Sequence, residues 1–273
     1  MSKHYDLLIC LRCHAYRDLI LDTIDAVKCY TDSDVTKIVC AVDKNNRSLA
    51  KHIERVLPQA VHCSGHSWGW GAGLYGLLAE SIIWADERWN FSHFVSIDYD
   101  TLFIKKGADQ IILNHITDPE IGLLGHYGAR STHWEEIFNK DKLKIRKYLG
   151  EIPKTYHPGE GTQGGCMILT RTFIDALKRK GMLISPFAIA KNITQIEDDH
   201  LVTLFCRMCG LEIVQVSEQL HIRWQLDCDP LGLEKKDIYI FHPTKVVPSK
   251  SGQSIEKTVR NYYRTLRGRG PLA

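Results

Sequence analysis

The chain has 273 residues, 44% hydrophobic and 25% charged, an ordinary globular composition with enough length for a sizeable core. No apolar run approaches the ~20 residues of a bilayer span, and Asp6 and Arg12 interrupt the short apolar stretch near the N-terminus, which argues against a secretion signal. The formal net charge of +3 is too mild to demand a polyanionic partner. Nine cysteines, an odd number, point to reduced thiols in a cytoplasmic compartment, the host cytoplasm if the protein is viral.

In chain order, "YDLLICLRC" (Tyr5–Cys13) reads as a first strand, with a helix around Arg17–Tyr30. "TKIVCAVD" (Thr36–Asp43) is a second strand, followed by the loop "DKNNRS" and a helix over Leu49–Leu57. "AVHCS" is a short third strand, and "GAGLYGLLAESIIWADERW" (Gly71–Trp89) carries apolar residues at helical spacing. "HFVSID" (His93–Asp98) is a fourth strand and "EIGLLGH" (Glu120–His126) a fifth. Residues 127–163 are polar, with aromatics, Pro and Gly, and read as loops over a site. "GGCMILT" (Gly164–Thr170) returns to strand before the helix "RTFIDALKRKG", and "IEDDHLVTLFCRMCG" (Ile196–Gly210) opens with three acids and becomes an amphipathic helix. "LEIVQVS" and "DIYIFHPTKVV" (Asp237–Val247) are the last strands.

Strands alternating with helices predict an α/β fold, a mostly parallel sheet with helices on both faces, and no linker or repeat divides it. The expected organisation is a single domain, with a first half over about 1–126, a second half over about 127–247, and a basic tail over 248–273. "KDKLKIRK" (Lys140–Lys147) and the tail "KTVRNYYRTLRGRG" (Lys257–Gly270) concentrate the positive charge. Each is a candidate phosphate contact, with Tyr262 and Tyr263 as stacking groups, or else a solvated helix face and a frayed end. The CxxC pairs Cys10/Cys13 and Cys206/Cys209 fall in strand-like and helix-like segments and read as buried thiols rather than zinc ligands.

The chemistry concentrates in "FVSIDYDTLF" (Phe94–Phe103). Ligands of open parallel sheets bind beyond the carboxyl ends of the strands, where Asp98 and Asp100 fall. If the chain is still extended there, both carboxylates point one way and Tyr99 the other. Two such close carboxylates repel unless a cation neutralises them, and a hard divalent ion, Mn²⁺ or Mg²⁺, suits oxygen ligands. Glu197, Asp198 and Asp199 before a helix are also what capping and the helix dipole favour. Trp68 and Trp70 in "WGW" are candidate stacking or packing residues.

At this point the chain resembles the nucleotide-sugar glycosyltransferases of the GT-A fold, over roughly residues 5–247 and in order. "SIDYD" resembles their D-x-D motif, "AVDKNN" the loop whose Asp contacts the nucleotide base, here Asp43, and "GWGAGLYGLLAES" the glycine-containing helix start near the donor. "GTQGGCMILTRTFIDAL" resembles their acceptor-side strand and helix, "IEDDHLVTLFCRMCG" the segment supplying the base of inverting members, and "FHPTK" the C-terminal His that completes the metal site. The resemblance implies metal ligation by Asp98, Asp100 and His242, and donor binding by Arg12, Asp43, Trp70, Gly71 and Asp98. It also implies a general base at Asp198, with Asp199 the adjacent rival, and an acceptor side at Glu197, Gly164 and Gly165. Lys245, Arg12 and Lys44 are candidates for added positive charge at the diphosphate.

The implied reaction is metal-dependent transfer of a hexosyl or pentosyl group from a nucleotide sugar, such as a UDP-sugar, to a hydroxyl acceptor, with inversion favoured. Acceptor candidates are a glycan or lipid-linked intermediate and a hydroxymethylated base of phage-type DNA. A sugar-1-phosphate nucleotidyltransferase is the first rival, but "LRCHAYRD" lacks the glycine-rich loop it needs after the first strand. A non-catalytic nucleic-acid-binding module is the second, and it leaves the acidic motifs unexplained.

Overall fold

The computed structural model describes residues 3–14, 16–69, 72–128, 131–183, 196–223, 229–245 and 255–272. A seven-stranded sheet forms the centre, in the order β3-β2-β1-β4-β7-β6-β8. β1 (His4–Cys13), β2 (Thr36–Val42) and β4 (Asn90–Asp98) run parallel beside the short β3 (Val61–Cys63). Their long buried runs are what a parallel strand covered on both faces requires. β7 (Cys166–Thr170) is antiparallel to both β4 and β6 (Ile121–Gly125), and β8 (Glu212–Gln215) runs parallel to β6. A smaller sheet joins β5 (Leu102–Phe103), β10 (Ile240–His242) and β9 (Leu220–Ile222).

Helices cover the sheet by burying apolar stripes. α1 (Arg17–Tyr30) buries Ile20, Ile24 and Val27, and α2 (Arg47–Glu54) buries Leu49, Ala50 and Ile53. α3 (Ala72–Asp86) is apolar nearly all round and sits inside the core, where Tyr75 meets Phe205 of α7 (Asp198–Met208) edge-on with ring centroids 5.0 Å apart. α4 (Ala108–Asn114) follows β5, and α6 (Arg171–Arg179) starts where the Thr170 hydroxyl accepts from the Phe173 N–H at 3.3 Å.

Three stretches differ from the sequence expectation. Residues 127–163, read as loops, contain the 18-residue helix α5 (Thr132–Leu149), begun at Ser131 and ended at Gly150, whose φ is +89°. Its buried face is thin, Phe138, Asp141 and Ile145, so its apolar periodicity is weak in the sequence. The strand expected over Asp237–Val247 shrinks to β10, because Asp237 takes a φ of +55° and the Thr244 N–H turns to the Asp100 carbonyl; residues 246 and 247 lie outside the described residues.

The basic tail ends in α8 (Glu256–Leu266), which docks on α1. Arg260 pairs with Asp22 at 2.9 Å, Arg264 with Asp22 at 3.0 Å, Arg267 with Asp25 at 3.2 Å, and Arg269 with Asp25 at 2.9 Å. Tyr263 is fully buried and its hydroxyl donates to the Pro230 carbonyl at 2.8 Å, while Tyr262 donates to Glu234 at 2.8 Å. These arginines and tyrosines, read from the sequence either as candidate phosphate and stacking groups or as a frayed end, are engaged within the fold instead. Among the described residues no helix is long and apolar enough to cross a membrane, and the eight described cysteines are free thiols.

Candidate metal and donor site

The strand β4 ends at Asp98, and Tyr99 and Asp100 form a turn closed by the Thr101 N–H donating to the Asp98 carbonyl at 3.0 Å. The two carboxylates therefore converge through a turn, and not through the alternation of an extended strand. His242, at the end of β10, reaches Asp100 with Nε2 3.4 Å from Oδ1, while its Nδ1 lies 3.1 Å from the Arg223 carbonyl. One ligand atom from each of Asp98, Asp100 and His242 falls within 4.8 Å of the others. Thr244 locks the two segments together by donating its N–H to the Asp100 carbonyl at 2.8 Å.

The electrostatics of this cluster are uneven. Burial opposes charge on Asp100, but the hydrogen bond and positive field of His242, with Lys245 3.6 Å away, bring its pKa down to about 2. Burial likewise opposes charge on His242, and Asp100 overcomes this and raises the imidazole. Burial raises Asp98, against the pull of Arg12.

Arg12 sits in register with Asp98 on the neighbouring strand, is 1% exposed, and donates to Asp98 at 2.8 Å. It also donates to the Gly164 carbonyl at 2.6 Å and pairs with Asp198 at the start of α7. Expected as a donor-binding group, it has its guanidinium turned inward on two carboxylates; its pKa stays raised by Asp98 and Asp198 although burial opposes the charge.

The acidic helix start divides into unlike members. Asp198 is held by Arg12. Asp199 accepts the His200 N–H at 2.8 Å, and burial together with Asp198 pushes it up to about 7. Glu197 is half-buried, and burial with Asp199 and Asp198 pushes it up to about 7 as well. The His200 ring, bound to the Glu160 carbonyl at 2.8 Å, packs 5.5 Å from the ring of Trp134 on α5, which brings the polar 127–163 segment beside these acids.

The remaining expected residues separate into several roles. Asp43 accepts the Asn45 N–H at 2.9 Å and the Trp68 N–H at 2.7 Å, so both of its oxygens shape the loops after β2 and β3. Trp68 is buried and its indole N–H donates to Ser64 at 3.0 Å and Glu80 at 3.1 Å, the packing alternative of the two offered. Gly165 presses on His242: a Cβ there would lie 2.3 Å from the imidazole, whereas one on Gly164 would meet Asp199 at an ordinary 3.6 Å. Trp70 and Gly71 lie outside the described residues.

Two neighbours carried no motif. His14 lies in the field of Arg12, Asp198, Asp43 and Lys245, and burial with Arg12 pushes it down to about 4, so it is neutral at physiological pH. Arg260, placed by its sequence in a tail, is fully buried under the D-Y-D turn and donates to the Tyr99 carbonyl. The acids at i and i+3 of α1, Asp22 and Asp25, were the available hint that this helix face would take a basic partner.

No family model matches the chain, and no curated protein matches it. Among solved structures, a glycosyltransferase involved in the glycosylation of the major capsid of PBCV-1 matches at 12% identity and a TM-score of 0.51, over 95% of this chain and 99% of that one. The bifunctional glycosyltransferase WbbM matches at 10% identity and a TM-score of 0.51, over 92% of this chain and 46% of that one. This chain thus spans under half of WbbM's length. At such identities the likeness concerns the fold alone. The chain has the GT-A fold of the glycosyltransferases, with a D-x-D-type acidic pair and a histidine converging at the end of β4.

Proposed function

We propose that the protein is a divalent-metal-dependent glycosyltransferase that moves a sugar from a nucleotide-sugar donor to a hydroxyl acceptor with inversion. The observation that carries this reading is the convergence of Asp98, Asp100 and His242 within 4.8 Å at the carboxyl edge of a GT-A sheet. Two carboxylates and one imidazole form a donor set that fits Mn²⁺ or Mg²⁺. Bound there, such an ion supplies Lewis-acid stabilisation of the charge that grows on the diphosphate leaving group.

The residues divide the remaining work. Lys245, 3.6 Å from Asp100, adds a positive charge on the leaving-group side. Arg12 neutralises Asp98 and Asp198 and ties the end of β1 to the start of α7, a positioning role. Asp199, which makes no Arg or Lys ion pair among the described residues, is the general base that accepts the proton of the attacking hydroxyl at its carboxylate, and a pKa near 7 suits that task. Glu197 and the face of Trp134 and His200 line the acceptor side. A glycan or lipid-linked hydroxyl is the acceptor class we favour over a base in DNA, since the tail arginines, candidates for phosphate contacts, are paired with Asp22 and Asp25.

A thermal-shift panel of nucleotide sugars and free nucleotides, with and without Mn²⁺ or Mg²⁺, tests the reading. A true donor at a hundredfold excess over its Kd stabilises the fold by about 2.7 kcal/mol. The expected result is a metal-dependent shift with one nucleotide class that Asp100→Asn abolishes. A metal-independent response to every compound, or none at all, overturns it.

A further inference from the structure

We propose that the outward face of α5 docks the protein onto an anionic lipid bilayer. The basic half of the helix exposes Lys140, Lys142, Lys144, Arg146 and Lys147. Lys144 reaches the buried Asp141 at 3.7 Å and Arg146 reaches Glu151 at 2.6 Å, while Lys140, Lys142 and Lys147 make no ion pair among the described residues. In their midst Leu143 is 81% exposed, the most exposed large hydrophobic side chain among the described residues, and Tyr148 is 57% exposed. Lys140 and Lys147 stand three residues before and four after Leu143, so all three share one helix face.

A merely solvated basic face gains nothing from a projecting leucine. An anionic bilayer uses both features: its phosphates attract the lysines, and its headgroup boundary accepts the projecting leucine. A nucleic acid would use the cations alone, so Leu143 distinguishes the two. The location gives the surface a purpose. The first turn of α5 carries Trp134 against His200, the residue after Asp199, and 18 residues of helix extend about 27 Å, so the basic half leads from the acceptor side outward. Docking there brings lipid-linked hydroxyl compounds to that side. The docking itself does not rest on sugar transfer, because it is read without catalysis.

The test is co-sedimentation of the full chain with vesicles of phosphatidylcholine alone or mixed with phosphatidylglycerol, across a salt series. The expected result is binding to the mixed vesicles only, weakened by salt, and lowered about tenfold or more by the charge-neutral Leu143→Ser and by Lys140→Glu with Lys147→Glu. All three positions are exposed, and an unchanged melting temperature verifies the fold of each variant. Equal binding to both vesicle types overturns the proposal, as does absence of binding. Retention of full binding by Leu143→Ser, with only the charge reversal effective, also overturns it, because the attraction then rests on charge alone, as it would for a nucleic acid.

Discussion

Arg260 on the last helix donates through Nη2 to the Tyr99 carbonyl at 2.5 Å, so the C-terminal segment grips the residue that lies between the two site carboxylates. The same guanidinium donates to Asp22 at 2.9 Å and to Glu256 at 3.2 Å, and Thr244, which Glu256 holds at 2.7 Å, donates to the Asp100 carbonyl. One buried cation therefore joins α1, the D-Y-D turn and the segment after β10. Arg260→Met is expected to cost about 3 kcal/mol, the lower end for a broken buried pair because Arg264 and Arg267 still reach Asp22. Chemical denaturation measures this loss, and Mn²⁺ affinity of the folded variant should fall with it. Unchanged stability would mean the network is not formed in solution.

The two aspartates of α7 should fail in different ways. Asp199→Asn keeps Arg12 paired with Asp98 and Asp198, so it should fold and bind donor while kcat falls about 10²–10⁴-fold, the usual contribution of a general base. Asp198→Asn removes a partner of a buried arginine and should chiefly lower stability, by about 1–3 kcal/mol. Parallel melting curves and steady-state kinetics on both variants separate the roles. The reverse pattern would assign the base to Asp198.

Adjacent glycines give a sharper contrast. A methyl on Gly165 would lie 2.3 Å from the His242 ring, and that imidazole is itself anchored on Arg223 and Asp100. Gly165→Ala is thus expected to displace His242 and weaken Mn²⁺ binding at least tenfold, about 1.4 kcal/mol or more. Gly164→Ala meets only ordinary contacts and should leave metal affinity unchanged. Isothermal titration with Mn²⁺ compares them directly.

Glu80 sets a pH dependence away from the metal cluster. Burial opposes its charge, but the His62 ring 3.5 Å away and bonds from Ser64, His66 and Trp68 bring its pKa down to about 2 from an ordinary 4.5. A depressed carboxylate pKa stabilises the folded state above the ordinary value, and the contribution disappears as the pH falls through the folded value. Glu80→Gln should therefore cost about 1–3 kcal/mol at neutral pH, with the gap to the parent protein closing between about pH 4.5 and 2. Urea denaturation at several pH values reads the closure, and a gap constant with pH would show that the carboxylate's charge is not what matters.

Alternation of apolar runs and amphipathic stretches was enough to place β1, β2, β4, α1 and α3 and to call for a largely parallel sheet, because periodicity is a local property of the chain. The D-Y-D end of β4, the E-D-D start of α7 and the histidine before Pro243 were legible for the same reason. The charged run Lys140–Lys147 hinted at a helix face, but the thin buried stripe hid the extent of α5, and nothing local revealed the docking of α8, whose arginines acquire meaning only opposite Asp22 and Asp25 some 240 residues away. The sequence by itself determined the fold class and which residue types stand at the strand ends. Only the tertiary structure decided that Arg12 faces Asp98 and Asp198 while Asp199 makes no Arg or Lys ion pair among the described residues, since strand register and helix docking bring together charges that the chain keeps far apart.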